Sequence, residues 1–246
     1  MIIGSNLLFF ENLPSTNTHT TSLLKKSSIT EGTIVYTNFQ LAGRGQMGNQ
    51  WESEDGKNLL ISIVLFPSMI IPADQFTISM TISLGICDFL KRYIILSKIK
   101  WPNDIYVNND KIAGLLIESS LMGNSIESTI AGIGLNINQE MFLSEAPNPV
   151  SLKMIKGRNF DLTTCLHQLA SDVDTRYKQL KKRNTDQIKE EYISQLFRLN
   201  EWHEYRDVNG TFTGRIKSVS DYGRLQIEIQ SGKMCEYSFK EVDFIL

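Results

Sequence analysis

The sequence is short of several things, and each shortage closes off a class of function. Three cysteines occur in 246 residues, Cys87, Cys165 and Cys235, and none has a neighbour at metal-ligand spacing. Cys87 and Cys165 fall in helical patterns with apolar neighbours, which reads as small buried thiols of a protein from a reducing compartment. An excess of one charge sign is missing too. Lys and Arg total 25 and Asp and Glu 27, for a net charge of −2, so the overall field gives no hint of nucleic acid. The longest basic cluster, Lys181, Lys182 and Arg183, is brief, lies between helical patterns and reads as a solvated helix end. No apolar run reaches membrane-spanning length. The N-terminus, MIIGSNLLFFENLPSTN, has neither the basic region nor the small-residue cleavage site of a signal peptide. Internal repeats and low-complexity tracts are lacking as well. A cytoplasmic protein is expected, with one large domain or one domain and an appendage, and 41% apolar residues suffice for an ordinary core.

What is present begins with Gln40–Trp51, QLAGRGQMGNQW. Gly43, Gly45 and Gly48 give a backbone with little steric restraint, and Arg44 is a fixed cation among them. Such a loop can fold its N–H groups and a guanidinium around an anion. The spacing also matches the dinucleotide fingerprint G-x-G-x-x-G, which has to open a helix after a strand. Here a turn-rich stretch and another apolar run, 58–66, follow. The context is strand, loop, strand, and the dinucleotide reading is rejected. A kinase-like reading fails because no HRD or DFG segment follows.

Strands are expected at 6–11, 32–40, 58–66 and 126–138, and a weak helix capped by Ser15 or Thr16 runs to Lys26. Residues 73–93 carry an apolar helical stripe, as do 162–180 behind an Asp161 cap, and a further helix covers 185–196. Residues 139–150 hold two prolines and no period, and read as a loop. Residues 99–118, IKWPNDIYVNNDKIAGLLIE, read as a β-hairpin. A turn at Asn109 and Asp110 would pair Asn108 with Lys111, Val107 with Ile112 and Tyr106 with Ala113. Alternation then places Lys111 in phase with Ala113, Leu115 and Ile117, where a lysine must find a partner or shift its pKa. Gly132 and Gly134 inside a strand mark either a bulge or close approach by a ligand or another backbone. From Trp202 onward, short strands alternate with turn signals, which suggests a small SH3-like barrel. The boundary falls near Leu199, giving domains 1–199 and 200–246.

Together these pieces resemble the biotin–protein ligases, also called biotin–[acetyl-CoA-carboxylase] ligases or holocarboxylase synthetases. The matching residues are Ser15-Thr16-Asn17, Gln40 with Gly43-Arg44-Gly45, Trp51, the segment KWPND at 100–104, Lys111 with Gly114, Glu118, and the stretch GIGLN at 132–136. They span nearly the whole chain, and KWPND followed by K-x-x-G is the specific part. The resemblance implies an α+β catalytic domain with a mixed, largely antiparallel sheet, helices on one face, and the C-terminal SH3-like barrel. It also implies a reaction in two steps: biotin and ATP give biotinyl-5′-AMP, and a lysine of a biotin carboxyl carrier protein domain then takes the biotin.

On that resemblance Arg44 and Lys111 are the catalytic cations, neutralising a carboxylate and an α-phosphate that repel each other. Ser15, Thr16, Asn17 and Gln40, with Gly43, Arg44, Gly45, Lys111 and Gly114, would hold biotin. Arg44, Gln46, Trp51, Asn103, Lys111, Gly134 and Asn136 would hold ATP, and Asp104 would reach Mg²⁺ through it. Biotin and ATP are substrates, and no permanently bound cofactor is expected. Many relatives have a second arginine where this chain has Gln46, which leaves Arg44 with more of the electrostatic load. Some bacterial relatives carry a DNA-binding helix-turn-helix domain ahead of the catalytic one. With the Ser-Thr-Asn motif at residue 15 there is no room for it, so neither a repressor role nor a DNA partner is expected, nor a membrane. Members of the family often dimerise by edge pairing of the sheet, so a homodimer is among the partners implied. Two rival readings are a lipoate ligase or octanoyl transferase of the same fold, which would lack KWPND, and a non-enzymatic biotin-binding protein, which Gln46 keeps in play.

Overall fold

The computed structural model describes residues 1–26, 29–94, 96–144 and 148–245. Strands β1 (Leu7–Leu13), β2 (Ile34–Gln40), β3 (Leu59–Leu65), β4 (Lys98–Lys100), β5 (Asp104–Val107), β6 (Asp110–Met122) and β7 (Ser125–Leu135) form one seven-stranded sheet. Its order is β1-β2-β3-β7-β6-β5-β4. β1 and β2 run parallel, joined by helix α1 (Thr16–Lys26), because a parallel pair needs a crossover. Every other neighbouring pair is antiparallel.

Alternation along the strands divides the sheet into two faces. Leu59, Ile61, Ile63 and Leu65 of β3, with Ala131, Ile133 and Leu135 of β7, join the core. Helix α2 (Phe76–Lys91) packs there with α4 (Leu162–Lys181) and α5 (Thr185–Ser194). The two long helices begin where their chemistry dictates. Pro72 starts a short 3₁₀ turn ahead of α2. Asp161 caps α4, its Oδ1 accepting from Thr164 N at 2.7 Å. α2 and α4 cross closely at Gly85, where a Cβ would lie 2.8 Å from the Val173 backbone. The expected loop 139–150 is followed by a short helix the periodicity did not reveal, α3 (Leu152–Lys156), capped by the Ser151 hydroxyl. Residues 145–147 of that expected loop lie outside the described residues.

The opposite face of the sheet takes α1, which rests on β2, β3 and β7. The C-terminal strands β8 (Trp202–Asp207), β9 (Gly210–Val219), β10 (Leu225–Ile229), β11 (Met234–Tyr237) and β12 (Asp243–Phe244) form a five-stranded antiparallel sheet. Its order is β11-β10-β9-β8-β12, and no pairing of β11 with β12 closes it among the described residues. Trp101, buried and followed by a cis bond to Pro102, ties the two sheets together: its Nε1 donates to Gly223 O at 2.8 Å. Among the described residues no helix is long and apolar enough to cross a membrane.

Candidate active site

A cavity of about 370 Å³ opens on the face that carries α1. Its floor is β7 and β6 at Gly132, Gly134 and Gly114. A Cβ on Gly132 would fall 2.4 Å from Asn17 Oδ1, and one on Gly134 would fall 2.3 Å from the Trp51 ring. A Cβ on Gly114 would lie 2.9 Å from the same indole. The glycines therefore admit the chain's own Asn17 and Trp51 against the sheet.

The polar end of the cavity is built by the start of α1. Ser15, Thr16 and Asn17 are nearly fully buried. The first-turn N–H of Thr16, which has no intrahelical acceptor, is taken by the Gln40 side chain, whose Oε1 accepts it at 2.8 Å. The first-turn N–H is thus taken by a residue distant in sequence, rather than by the local Ser15 or Thr16 side chain expected to cap the helix. Asn17 Oδ1 accepts from Ser62 Oγ at 2.6 Å, and its Nδ2 donates to Leu116 O and to Glu118 Oε2, at 3.1 and 2.9 Å.

The hairpin that carries Lys111 has a register different from the one expected. The two-residue loop is Asn108 and Asn109, with Asn108 at φ +55°, so Val107 pairs with Asp110 and Tyr106 with Lys111. Ile105 then pairs with Ala113, which leaves Ile112 as a bulge. One extra residue reverses the phase. Ala113 and Leu115 go to the core, while Lys111 shares a face with Gly114, Leu116 and Glu118. The expectation of a lysine in phase with Ala113, Leu115 and Ile117 is corrected accordingly. Lys111 has its partner: Nζ lies 2.7 Å from Asp104 Oδ1, and 5.6 Å from the centre of the Trp51 ring.

The glycine loop is a small closed structure. Trp51 N donates to Gly43 O and Gly45 N to Asn49 O, while Gln46–Gly48 form a 3₁₀ turn with Met47 at φ +53°. Arg44 reaches from it to Glu118, Nη2 to Oε1 at 2.7 Å, and donates from Nη1 to Thr18 Oγ1 at 3.2 Å. Gln46 lines the cavity, and its Oε1 is buried without a hydrogen-bond partner among the described residues. Gly43 lies behind the loop, where a Cβ would strike Trp51 O, and borders an outer groove with Glu118.

Of the residues singled out from sequence, Ser15, Thr16, Asn17, Gln40, Arg44, Gly45, Gln46, Trp51, Asn103, Asp104, Lys111, Gly114 and Gly134 all border this one cavity. Asn103 is fixed there by exchanging hydrogen bonds with Leu115, donating from Nδ2 to its carbonyl and accepting its N–H. Asn136 is not on the wall. It is buried behind β6, its Nδ2 donating to Val150 O, and so holds the segment whose Val150 N bonds to Lys111 O.

Sequence reasoning passed over three contributors. Lys100 projects into the cavity, donates to Tyr106 Oη at 3.1 Å and sits over the rings of Tyr106 and Phe244. Burial, and after it the nearby Lys111 charge, hold its pKa below the ordinary lysine range, against a partial pull upward from Asp104. The C-terminal sheet contributes Phe239, Lys240, Val242, Asp243 and Phe244 to the wall, and Lys240 Nζ reaches Met47 O at 3.5 Å. Thr18 and Glu118 hold Arg44. Only Lys100 and Glu118 left a trace in the sequence, both inside matching motifs. The wall therefore concentrates Arg44, Lys100, Lys111 and Lys240 against two carboxylates, Asp104 and Asp243, in a chain of net charge −2. That is a site for a polyanion.

A mixed sheet with a cationic cavity on its glycine-lined face suits a ligase that brings an acid together with a nucleotide phosphate. Residues 9–138 match the Biotin/lipoate A/B protein ligase family, and the chain belongs to it. It is 29% identical to the bifunctional ligase/repressor BirA of Bacillus subtilis over 241 residues, 96% of this chain and 74% of that protein. It is also 29% identical to the biotin–[acetyl-CoA-carboxylase] ligase of Paracoccus denitrificans over 202 residues, 79% of this chain and 83% of that one. Among solved structures, biotin protein ligase from Aquifex aeolicus in complex with biotin and ATP superposes with a TM-score of 0.80 at 25% identity. The match covers 97% of this chain and 98% of that one.

Proposed function

We propose that the chain is an ATP-dependent biotin–protein ligase that forms biotinyl-5′-AMP and passes the biotin to a lysine of a biotin carboxyl carrier domain. The observation that carries this reading is the cavity itself. It brings together on one wall the buried polar groups of Ser15–Asn17 with Gln40, the cations Arg44 and Lys111, and the Trp51 indole packed over strand glycines. Relatives that are biotin ligases, one of them solved with biotin and ATP, support it. Residues 1–199 are assigned as the catalytic domain, with 200–246 completing the wall.

In the first step a biotin carboxylate oxygen attacks the α-phosphorus of ATP, a P–O bond forms, and the bond to pyrophosphate breaks. Two anions have to meet in a site that excludes water, where their repulsion is poorly screened. Lys111 stands where it can bridge the carboxylate and the α-phosphate, leaving Asp104 as they arrive. Arg44 binds the phosphate and, through its loop, keeps water from the mixed anhydride. The Ser-Thr-Asn and Gln40 groups supply the donors and acceptors a ureido ring needs, and Trp51 offers its face to the adenine. An ATP-borne Mg²⁺ would find Asp104 on the wall, the single-carboxylate-plus-phosphate arrangement such ions use, and when bound it supplies further neutralisation of phosphate charge. Among the described residues no three His, Cys, Asp or Glu side chains cluster to hold a metal by themselves. In the second step the carrier amine attacks the biotinyl carbonyl. A C–N bond forms, the anhydride C–O bond breaks, AMP leaves, and the amine gives up a proton.

Substrate-dependent ATP–pyrophosphate exchange tests the reading. Exchange is expected with biotin and absent with lipoate. Exchange with lipoate alone would move the protein to the other branch of its family, and none with either acid would remove the activity.

A further inference from the structure

We propose that Glu118 is a resident counter-ion for Arg44, a positioning residue that parks the loop arginine until a nucleotide displaces it; this rests on the proposed function. The two carboxylate oxygens of Glu118 are divided between two partners. Oε1 accepts from Arg44 Nη2 at 2.7 Å, and Oε2 accepts from Asn17 Nδ2 at 2.9 Å. Asn17 is itself immobilised, 2% exposed and bonded to Ser62 and to Leu116 O. The carboxylate is therefore held from behind by the sheet and α1, with its free side turned to the loop. Arg44 is the mobile partner: its side chain is 47% exposed, against 34% for Glu118.

An arginine is always charged, and it grips a phosphate with the same fork of donors that it offers to a carboxylate. With Glu118 on Nη2 and Thr18 on Nη1, both terminal nitrogens of the guanidinium are already engaged. A phosphate approaching Arg44 meets a like charge across one cation. Both cannot keep the pair at full strength. The parked state lowers apparent nucleotide affinity by the fraction of molecules in which the arginine is free, and an ion pair this exposed is weak enough to be displaced. The bulge at Ile112 is what brings Lys111 onto the face that carries Glu118.

The test is calorimetric binding of α,β-methylene ATP in the presence of saturating biotin, on the full chain. Glu118→Gln keeps the size and the hydrogen-bonding oxygen but removes the charge. Its dissociation constant is expected to fall about two- to fivefold, the range an exposed ion pair commands. In an Arg44→Ala background the same change is expected to have no effect, a coupling that a purely structural role would not produce. Should Glu118→Gln fail to fold, as read by circular dichroism, Glu118→Asp draws the carboxylate back from the guanidinium and is expected to tighten binding likewise. An unchanged or weakened affinity, or an equal gain without Arg44, would overturn the proposal. The proposed function fails separately, if the unaltered chain shows neither nucleotide binding nor biotin-dependent exchange.

Discussion

At the residue scale the chemistry turns on cations with unlike surroundings. Lys111 is paired with Asp104, while Lys100 is desolvated among Tyr106 and Phe244 and forms no ion pair with a carboxylate among the described residues. Removing Lys111 takes away the group proposed to bridge two anions. Lys111→Ala is expected to lower biotin-dependent pyrophosphate exchange by about 10²-fold or more, the scale for losing one preorganised electrostatic donor, with the thermal melting curve still cooperative. Lys100 gives a pH test. Its folded pKa is depressed, so the unfolded chain binds more protons between that lowered value and the ordinary lysine range, and stability recovers as pH rises through the window. The stability difference between Lys100→Met and the parent, from urea unfolding, is therefore expected to shift toward the parent as pH climbs from neutral into that range. A difference independent of pH would show that the lysine is well solvated. The Cys87 thiol is inert by comparison: burial pushes it up to about 12, in keeping with its apolar neighbours in α2.

At the element scale, local rules account for some pieces and long-range pairing for others. Gly85 is where α2 and α4 touch backbone to side chain. Gly85→Ala is expected to destabilise by about 1–3 kcal/mol in urea unfolding, the cost of overpacking, despite alanine's better helix propensity. A stabilised variant would mean the helices can part without loss. α4 was legible because Leu166, Leu169, Val173, Tyr177 and Leu180 keep a helical period and Asp161 caps the start. β2, β3 and β7 were legible from β-branched runs that end near their expected bounds. The hairpin was legible as a hairpin but not in its register. Asn108 accepts a positive φ, and the Ile112 bulge is set where Lys111 also pairs with the segment at Pro149. No local pattern in the hairpin encodes that distant partner. α3 is five residues long, too short for a period to emerge.

At the scale of the whole molecule, the candidate site is assembled from both sheets, and this was the least legible part. The motif residues at 15–17, 40–51 and 100–118 could be grouped by resemblance, whereas Phe239, Lys240 and Phe244 reach the cavity through the docking of the second sheet, to which the Trp101–Gly223 hydrogen bond, the Trp101–Phe239 contact and the Lys189–Asp221 pair contribute. The long-range ties that close the fold are also acid-sensitive. Burial alone would raise the pKa of Asp88, Asp174 and Glu31. Arg176 and Lys91 on the first, Lys178 with the Ile2 and Ile3 amides on the second, and Lys181 with Tyr177 and the Phe66 amide on the third outweigh it and pull each below the usual carboxylate range. Their contribution is complete above the unfolded carboxylate values and is lost as pH falls through the folded ones. Stability by denaturant unfolding is expected to hold at neutral pH and decline progressively below about pH 4. A flat profile there would contradict these ties.

The proposed mechanism depends most on where two side chains go when substrates bind. A crystal structure of the chain with biotin and α,β-methylene ATP is the direct measurement. The expected result is the Lys111 ammonium and the Arg44 guanidinium both within hydrogen-bonding reach of the α-phosphate, with Arg44 released from Glu118. Either cation turned away from the junction of carboxylate and phosphate, with both substrates in place, would contradict the mechanism.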